Sequence, residues 1–271
     1  MAARLTVLIP CKDERANIGP CIDAALRVAD EILVADSGST DGTLEYLRAR
    51  GDCRIIERDY VRSGDFKNWA IPQAAHEWVL VVDADERVTP ALAAEIRELL
   101  SGGPQHDAYW VTRTNYLMGR PVRHTDWARD QLQRLFRRDL GRYEGPSDHG
   151  DARVSTGKVG ALVAPLDHYT LWTWGQYLQK FDRYTQVQAA QWYAEGRRPS
   201  VVQLLIRPPL RFLREYVLHR GFLDGAMGLQ IAWLTAFYTF MKQARLWELH
   251  YGLTQHDLEG KAMAEAEKRA A

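Results

Sequence analysis

Short apolar runs alternate with segments of helical periodicity over roughly the first hundred residues of the chain. Apolar runs rich in Val, Ile and Leu predict buried strands at residues 5–9, 31–35 and 78–82, and a further strand is predicted at residues 54–57. Helical periodicity predicts helices at residues 18–28, 43–50, 65–75 and 90–100, and Thr89 is placed to cap the last of them. This alternation is typical of a parallel sheet with helices on both faces.

The pattern changes beyond residue 107. Strands of a more mixed, antiparallel region are predicted at residues 109–113, 132–136 and 159–163. From about residue 172 onward the chain is predicted to be mostly helical and is rich in aromatic residues, with one break at Pro208-Pro209.

Composition limits the number of domains and the kinds of partner. The 271 residues suffice for one large domain, or for one domain with an appendage. We expect an α/β domain over residues 1–168 and a helical C-terminal region over residues 169–271. Lys and Arg together number 35, as do Asp and Glu, so no overall field favours nucleic acid and no such partner is predicted.

The cysteines and the apolar segments indicate a compartment. Cys11, Cys21 and Cys53 form neither a disulfide framework nor a zinc pattern, so a reducing compartment is expected. The N-terminus enters a strand pattern at once and lacks the features of a signal peptide. No unbroken apolar segment reaches 18 residues, so no membrane span is predicted.

The sequence Asp83-Ala84-Asp85-Glu86 directly follows the fourth predicted strand. Two carboxylates one residue apart at the end of a buried strand are costly unless a cation lies beside them. A hard divalent metal that carries a phosphate is the natural candidate. This feature predicts a protein that handles nucleotide-activated substrates.

Two further polar clusters follow the first and second predicted strands, at residues 10–14 and 36–43. Ligands of parallel sheets bind at the carboxyl ends of the strands, so the three clusters are expected at one edge. There Asp36 can accept hydrogen bonds from a base or a ribose, and Lys67, near a helix start, can bind phosphate. Taken singly, each cluster is also compatible with an ordinary capped turn, and Lys67 with a surface lysine.

Together the clusters resemble family 2 glycosyltransferases of the GT-A fold, a Rossmann-like, mostly parallel sheet with helices on both faces. The resemblance covers roughly residues 4–165, and its motifs are Leu8-Ile9-Pro10-Cys11-Lys12-Asp13-Glu14, Asp36-Ser37-Gly38-Ser39-Thr40-Asp41-Gly42-Thr43, Lys67-Asn68 and Asp83-Ala84-Asp85-Glu86. It implies that the nucleotide is bound by Pro10, Lys12, Glu14, Asp36, Lys67 and Asp83. It also implies a divalent cofactor, Mn or Mg, held by Asp83 and more directly by Asp85.

A narrower resemblance links residues 127–137 and 208–225 to the small bacterial glycosyltransferases of lipopolysaccharide core assembly, which add β-linked glucose to a core heptose. That subgroup usually carries Tyr-x-Gly-x-Val-His-Glu after its Arg-Leu-Phe strand. Here the segment is Tyr143-Glu144-Gly145-Pro146-Ser147-Asp148-His149-Gly150-Asp151. The His is kept, whereas Gly150 replaces the Glu and is flanked by two aspartates.

An inverting transferase needs one general base that takes the proton of the acceptor hydroxyl. The candidates are Asp148, Asp151 and His149, with Asp148 preferred because a His at such a place more often orients a neighbour. Asp130 and Arg134 are candidates for contact with the acceptor.

The resemblance also suggests partners and a location. The donor is expected to be a nucleotide sugar, UDP-linked, and the acceptor a glycan or lipid-linked molecule of the cell envelope. Residues 195–220 contain six arginines against two glutamates. With the aromatic residues, this favours peripheral contact of the C-terminal helices with the inner face of the cytoplasmic membrane. The alternative is that these helices pack on the core or on a second copy.

Two other functions stay open at this stage. A nucleotidyltransferase shares a similar half-sheet and carboxylates, but its usual Gly-rich opening loop is missing, because residues 8–14 contain no Gly. A catalytically impaired protein that only binds a sugar nucleotide would keep Asp36 and Asp83 and tolerate the altered segment at residues 143–151.

Overall fold

The computed structural model describes residues 3–128, 130–144 and 152–252. It divides into two compact units. The first contains the chain up to Arg123 and Trp127–Thr170, and the second contains His124–Asp126 and the chain from Leu171 onward.

Four parallel strands form one half of the sheet in the first unit, in the order β3-β2-β1-β4. Their bounds are β1 Leu5–Cys11, β2 Glu31–Asp36, β3 Arg54–Glu57 and β4 Trp78–Val81. The helices of this half are α1 Ile18–Ala25, α2 Thr43–Arg50, α3 Ser63–Ala70 and α4 Pro90–Gly102. The predicted cap of α4 is confirmed, since the Thr89 hydroxyl accepts a hydrogen bond from the Leu92 amide at 3.1 Å.

The sheet continues from β4 through β8, β6, β12 and β5 in a mixed half, with β7 and β11 added beside β6. The long strands are β6 Ala108–Leu117, β8 Asp130–Arg137 and β12 Leu166–Leu171. The short ones are β5 Glu86–Val88, β7 Arg120–Pro121 and β11 Val159–Ala161. A separate antiparallel pair consists of β9 Gly141–Tyr143 and β10 Ala152–Val154.

β1, β2 and β4 are buried on both faces, which explains why their sequences are continuous apolar runs, whereas the edge strand β3 is only partly buried. Alternate residues of β1 enter different core clusters. Leu5, Val7 and Ile9 pack on one face, and Leu8 packs on the other with Val79 and Phe136. The predicted α/β fold is therefore confirmed, with the antiparallel strands completing the same sheet.

The second unit is helical and contains α5 Trp174–Ala194, α6 Val201–Leu213 and α7 Gly225–Tyr251. The predicted break at Pro208-Pro209 is wrong, because both prolines lie inside α6 and the helix continues through them. Prolines remove two amide donors from a helix; here the turn before them includes the exposed Leu205, where water can take the place of the donors. A wide helical turn, Arg214–Leu218, then continues the chain from α6. Among the described residues, no helix has the length and apolar character needed to span a membrane.

Candidate active site

The turn Asp83-Ala84-Asp85-Glu86 connects the end of β4 to β5 and is closed by two hydrogen bonds. The Glu86 amide donates to the Asp83 carbonyl at 2.8 Å, and the Asp83 amide donates to Glu86 Oε2, also at 2.8 Å. This reciprocal closure fixes the direction in which the carboxylates of Asp83 and Asp85 leave the backbone.

Behind this turn, three cations alternate with three carboxylates in a charge ladder. Its members, in order of contact, are Lys67, Asp83, Arg134, Glu86, Arg113 and Asp130. Lys67 Nζ lies 3.3 Å from Asp83 Oδ1, and Arg134 Nη2 lies 2.5 Å from Asp83 Oδ2. Arg134 and Arg113 both contact Glu86 Oε1 at 3.0 Å. Three positive and three negative groups leave the ladder with no net charge.

The pairing in the ladder is strong enough to control ionisation. Burial alone would raise the pKa of Asp83, but Arg134 and Lys67 hold that pKa well below its usual range. Against the opposite effect of burial, Asp83 raises the pKa of Lys67. Asp83 thus already lies beside two protein cations, whereas the sequence suggested that a metal would be needed to neutralise it.

Asp85 points toward a different neighbour, His168 on β12. Asp85 Oδ2 lies 3.5 Å from His168 Nε2, and the Tyr169 amide donates to the Asp85 carbonyl at 2.9 Å. On the other side of the ring, His168 Nδ1 lies 2.5 Å from Asn115 Oδ1. The side-chain amide of Asn115 donates to the Trp127 carbonyl, 2.5 Å away.

We assign the proton of the neutral His168 imidazole from these heavy-atom contacts, to which Thr170 Oγ1 adds one, 3.2 Å from Nδ1. Because the Asn115 amide nitrogen faces a carbonyl, its oxygen faces the ring and Nδ1 must donate to it. The Nε2 lone pair is then directed at the Asp85 carboxylate. A carboxylate oxygen and an imidazole nitrogen that face each other fit a divalent cation, and a hydrogen bond to the far ring nitrogen is the usual support of a metal-binding His.

The loops after β1 and β2 bind each other through backbone amides and short side chains. The Asp13 amide donates to Ser39 Oγ at 2.8 Å, and Asp13 Oδ1 accepts from the Thr40 amide at 2.7 Å. The Glu14 amide donates to Thr43 Oγ1 at 3.1 Å. This brings Pro10, Glu14 and Asp36 to one edge of the sheet, as the sequence predicts, and leaves Lys12 exposed.

Asp36 is fully buried and organises its own loop. Its Oδ1 accepts from the amides of Gly38 and Ser39, both at 2.8 Å, and its Oδ2 accepts from Ser39 Oγ at 2.5 Å. Gly38 has φ 89°, a conformation that favours glycine. Asp36 therefore stabilises the loop 36–39 through hydrogen bonds within it.

The remaining predicted residues fall in different places. Arg134 does not fit the predicted contact with an acceptor, because it is only 3% exposed and lies beneath Asp83 and Glu86. Asp130 is partly exposed and contacts Arg113. The three candidate bases, Asp148, His149 and Asp151, lie outside the described residues.

Local sequence patterns did not indicate three residues of this site: His168, Asn115 and Arg113. Each occupies a strand whose alternation brings a polar side chain to the same edge as Asp85 or Glu86. The available signal was a polar residue at alternate positions of β6 and β12, but only strand pairing shows that these residues meet. Asn68, which follows Lys67 in the predicted motif, anchors strand β9: its side chain accepts from the Tyr143 amide at 2.8 Å and donates to the Tyr143 carbonyl at 2.9 Å.

A second group of acidic and imidazole side chains lies in the helical unit. Asp126, Glu215 and His219 have ligand atoms within 4.8 Å of one another. Arg211 already contacts this group, however, at 2.6 Å from Asp126 and 3.0 Å from Glu215. We interpret the group as an ion-paired cluster within the helical unit.

Comparison with known proteins finds a family match and similar proteins. A family model described as Glycosyl transferase family 2 matches residues 6–162. The lipopolysaccharide core biosynthesis glycosyltransferase LpsC of Rhizobium meliloti (strain 1021) is 31% identical over 251 residues, covering 91% of this chain and 93% of LpsC. An uncharacterized glycosyltransferase of Rickettsia bellii (strain RML369-C) is 24% identical and covers 92% of this chain and 88% of its own.

Among solved structures, one similar protein is glucosyl-3-phosphoglycerate synthase from Mycobacterium tuberculosis in complex with Mn²⁺, uridine diphosphate and glucosyl-3-phosphoglycerate. It has a TM-score of 0.48 and 17% identity, and the match covers 73% of this chain and 82% of that one.

The family match extends over more than half of the chain, and the match to LpsC over nearly the whole length of both proteins. The predicted enzyme class, a glycosyltransferase, is confirmed. The chain belongs to glycosyl transferase family 2.

Proposed function

We propose that this protein is an inverting, metal-dependent hexosyltransferase that uses a nucleotide sugar, UDP-linked, as donor. The acceptor is a hydroxyl of a glycan or lipid-linked molecule in lipopolysaccharide core assembly. Membership of the family and the similarity to LpsC support the reaction and the pathway. The observation that carries the metal dependence is the Asp85 carboxylate facing His168 Nε2 beside the charge ladder.

In this proposal Asp85 and His168 hold the divalent ion, Mn or Mg. The bound ion supplies positive charge that stabilises the leaving diphosphate. Asn115 keeps the His168 ring in the orientation and tautomer that present Nε2. Asp83 contributes indirectly, because its contacts with Lys67 and Arg134 hold the turn in place.

Other residues of the chain bind the donor nucleotide and supply the general base. The joined loops containing Pro10, Lys12, Glu14 and Asp36 bind the base and ribose, with Lys67 on the phosphate side. Lys67 remains protonated next to Asp83 and adds positive charge at this edge. The general base belongs to the segment with Asp148, His149 and Asp151, and Asp148 is our first choice.

The first test is a screen of nucleotide sugars with Mn²⁺ or Mg²⁺ that reads released nucleotide. We expect UDP release with one UDP-hexose and none after removal of the metal. Asp85→Ala and His168→Ala should each weaken Mn²⁺ binding, measured by calorimetry without donor, whereas Asp139→Ala at an exposed position should not. Unchanged Mn²⁺ binding in both site variants would contradict the metal site.

The same screen tests the alternative of a protein that binds a sugar nucleotide without transferring the sugar. Binding of UDP-hexose and Mn²⁺ with neither hydrolysis nor transfer would favour that alternative. For the base, Asp148→Asn should abolish transfer and spare UDP binding; retained turnover would move the function to Asp151 or His149.

The lipid-linked acceptor also implies a location. We propose that the protein works at the inner face of the cytoplasmic membrane, with its C-terminal helices in peripheral contact with the lipid. The support for this contact is the surface of the helical unit.

A further inference from the structure

Helix α6 presents an apolar stripe to solvent. The helix contains no buried residue. The stripe consists of side chains of α6 and of the wide turn that follows it, each at least half exposed: Val201, Val202, Leu205, Ile206, Leu210, Leu213, Val217 and Leu218. Residues three or four apart lie on the same helical face, so Val202, Ile206, Leu210 and Leu213 form one row, and Val201 and Leu205 form the row beside it. An exposed apolar surface of this extent is unusual for a protein surrounded by water alone.

Other side chains of α6 make contacts within the helical unit. The Phe212 ring lies 4.7 Å from the Trp233 ring of α7, and Arg211 bonds to Asp126 and Glu215. Phe212 and Arg211 therefore have partners within the unit, whereas the side chains of the stripe stay exposed to solvent.

Positive charge borders the stripe. Arg198, Arg207, Arg214 and Arg220 are all exposed. Between residues 198 and 220 the one acidic residue is Glu215, which is fully buried. The surface thus combines aliphatic side chains with cations and exposes no carboxylate along this stretch.

From this combination we infer that the stripe of α6 lies in the interface of a lipid bilayer, with its bordering arginines on anionic head groups. A helix in the plane of the membrane needs an apolar face, a basic border and no spanning length. A second copy is a poorer occupant, because a two-fold contact through the same face would bring the arginines of both copies together. The inference rests on the proposed function only in that a lipid-linked acceptor places the enzyme at a membrane.

Binding of the full-length protein to vesicles tests this inference. We expect binding to vesicles of phosphatidylethanolamine with phosphatidylglycerol, weaker binding to phosphatidylcholine alone, and a decrease with added salt. Leu205→Gln with Leu213→Gln should lower the partition coefficient at least about tenfold. Arg207→Gln with Arg214→Gln should lower it roughly fivefold for each charge on anionic vesicles.

The matched control is Leu178→Gln with Val187→Gln, which changes two equally exposed apolar residues of α5 and should leave binding unchanged. Circular dichroism and thermal unfolding of every variant show whether it is folded. The inference is overturned if folded wild-type protein does not bind vesicles, or if the α6 variants bind like wild type. It is also overturned if the wild type is a dimer that Leu205→Gln with Leu213→Gln dissociates.

The proposed membrane surface and the proposed transferase reaction can be tested independently of each other. UDP release is measured with donor and metal in the absence of lipid. Vesicle binding without UDP release would count against the transferase, and UDP release without vesicle binding would count against the membrane surface.

Discussion

The two units depart in opposite ways from the usual rule that charged side chains are exposed and apolar side chains are buried. The α/β unit buries charge, since Glu86 is fully buried and Arg134 is 3% exposed, each with opposite charges at hydrogen-bond distance. The helical unit exposes apolar side chains, up to 73% for Leu218. Buried charge is stable only when it is paired, and exposed apolar surface persists when it has a partner outside the chain. The first arrangement marks an internal site and the second an external surface.

The largest loss of stability is expected when a member of the charge ladder is removed. Arg134→Met removes the cation between Asp83 and Glu86, so the fully buried Glu86 keeps Arg113 as its ion-pair partner and Asp83 keeps Lys67. The free energy of unfolding in urea should fall by about 3–5 kcal/mol. Arg48→Met, which removes an exposed pair with Glu57, should cost less than about 1 kcal/mol. Equal losses in the free energy of unfolding of both variants would show that the buried ion pairs stabilise the fold no more than the exposed pair does.

A smaller effect is expected at the support of the proposed metal site. Asn115→Ala removes the acceptor that fixes His168 Nδ1, so Nε2 is no longer held toward Asp85. Mn²⁺ affinity should fall about 10- to 100-fold by calorimetry. Asn17→Ala, which loses a bond to Glu14 away from His168, serves as the control and should bind Mn²⁺ normally. Normal affinity in Asn115→Ala would place the metal elsewhere.

The two regions should also respond differently to acid. The pKa of Asp83 is lower in the folded protein than in the unfolded chain. Its contribution to stability is therefore fully present above about pH 4 and is lost as the pH falls through the folded pKa. Urea unfolding below pH 4 should show this loss, and Arg134→Met should show a shallower one. Vesicle binding should stay constant from about pH 5 to 8, because arginine does not titrate there; a marked change would mean that other groups bind the lipid.

The smallest effect is expected on the α6 stripe. Ile206→Gln should change the free energy of unfolding by no more than about 0.5 kcal/mol, because the side chain is half exposed in the folded protein. Ile231→Gln on α7, where the side chain is fully buried, should cost several-fold more in the same urea titration. A large loss for Ile206→Gln would indicate that the stripe is covered within the protein itself.

Local sequence signals predicted much of the first unit. The helix at residues 43–50 and the strand at residues 54–57 were predicted with their observed bounds, and Thr89 with its cap. These features depend on periodicity and on bonds between near neighbours. The strands β5 and β12 were not predicted, because β5 has only three residues and β12 is largely polar. They pair with each other, which local patterns do not show.

The candidate site shows the same limit. Asp83 and Asp85 were visible from their place after an apolar run, whereas their partners Arg134 and His168 come from strands about fifty and eighty residues further along. The predicted helix break at Pro208-Pro209 was wrong for another reason. Two prolines usually end a helix because they remove amide donors, but the turn before them is exposed, so water can bond the carbonyls that lack a donor. Side-chain pairing across the sheet and the exposure of a helix cannot be read from local patterns.

The charge ladder also acts against misfolded alternatives. Its members come from α3, the turn after β4, β6 and β8, so they meet only when these strands pair in the native alignment. Shifting β8 by one residue would turn Arg134 to the opposite face of the sheet and leave Glu86 buried without it. A register shift of β8 would thus leave a buried charge without one of its partners. That costs more free energy than exchanging one buried Leu or Val for another, so apolar core residues alone would penalise the shift less. The ladder beneath the proposed site helps the chain to select a single strand pairing.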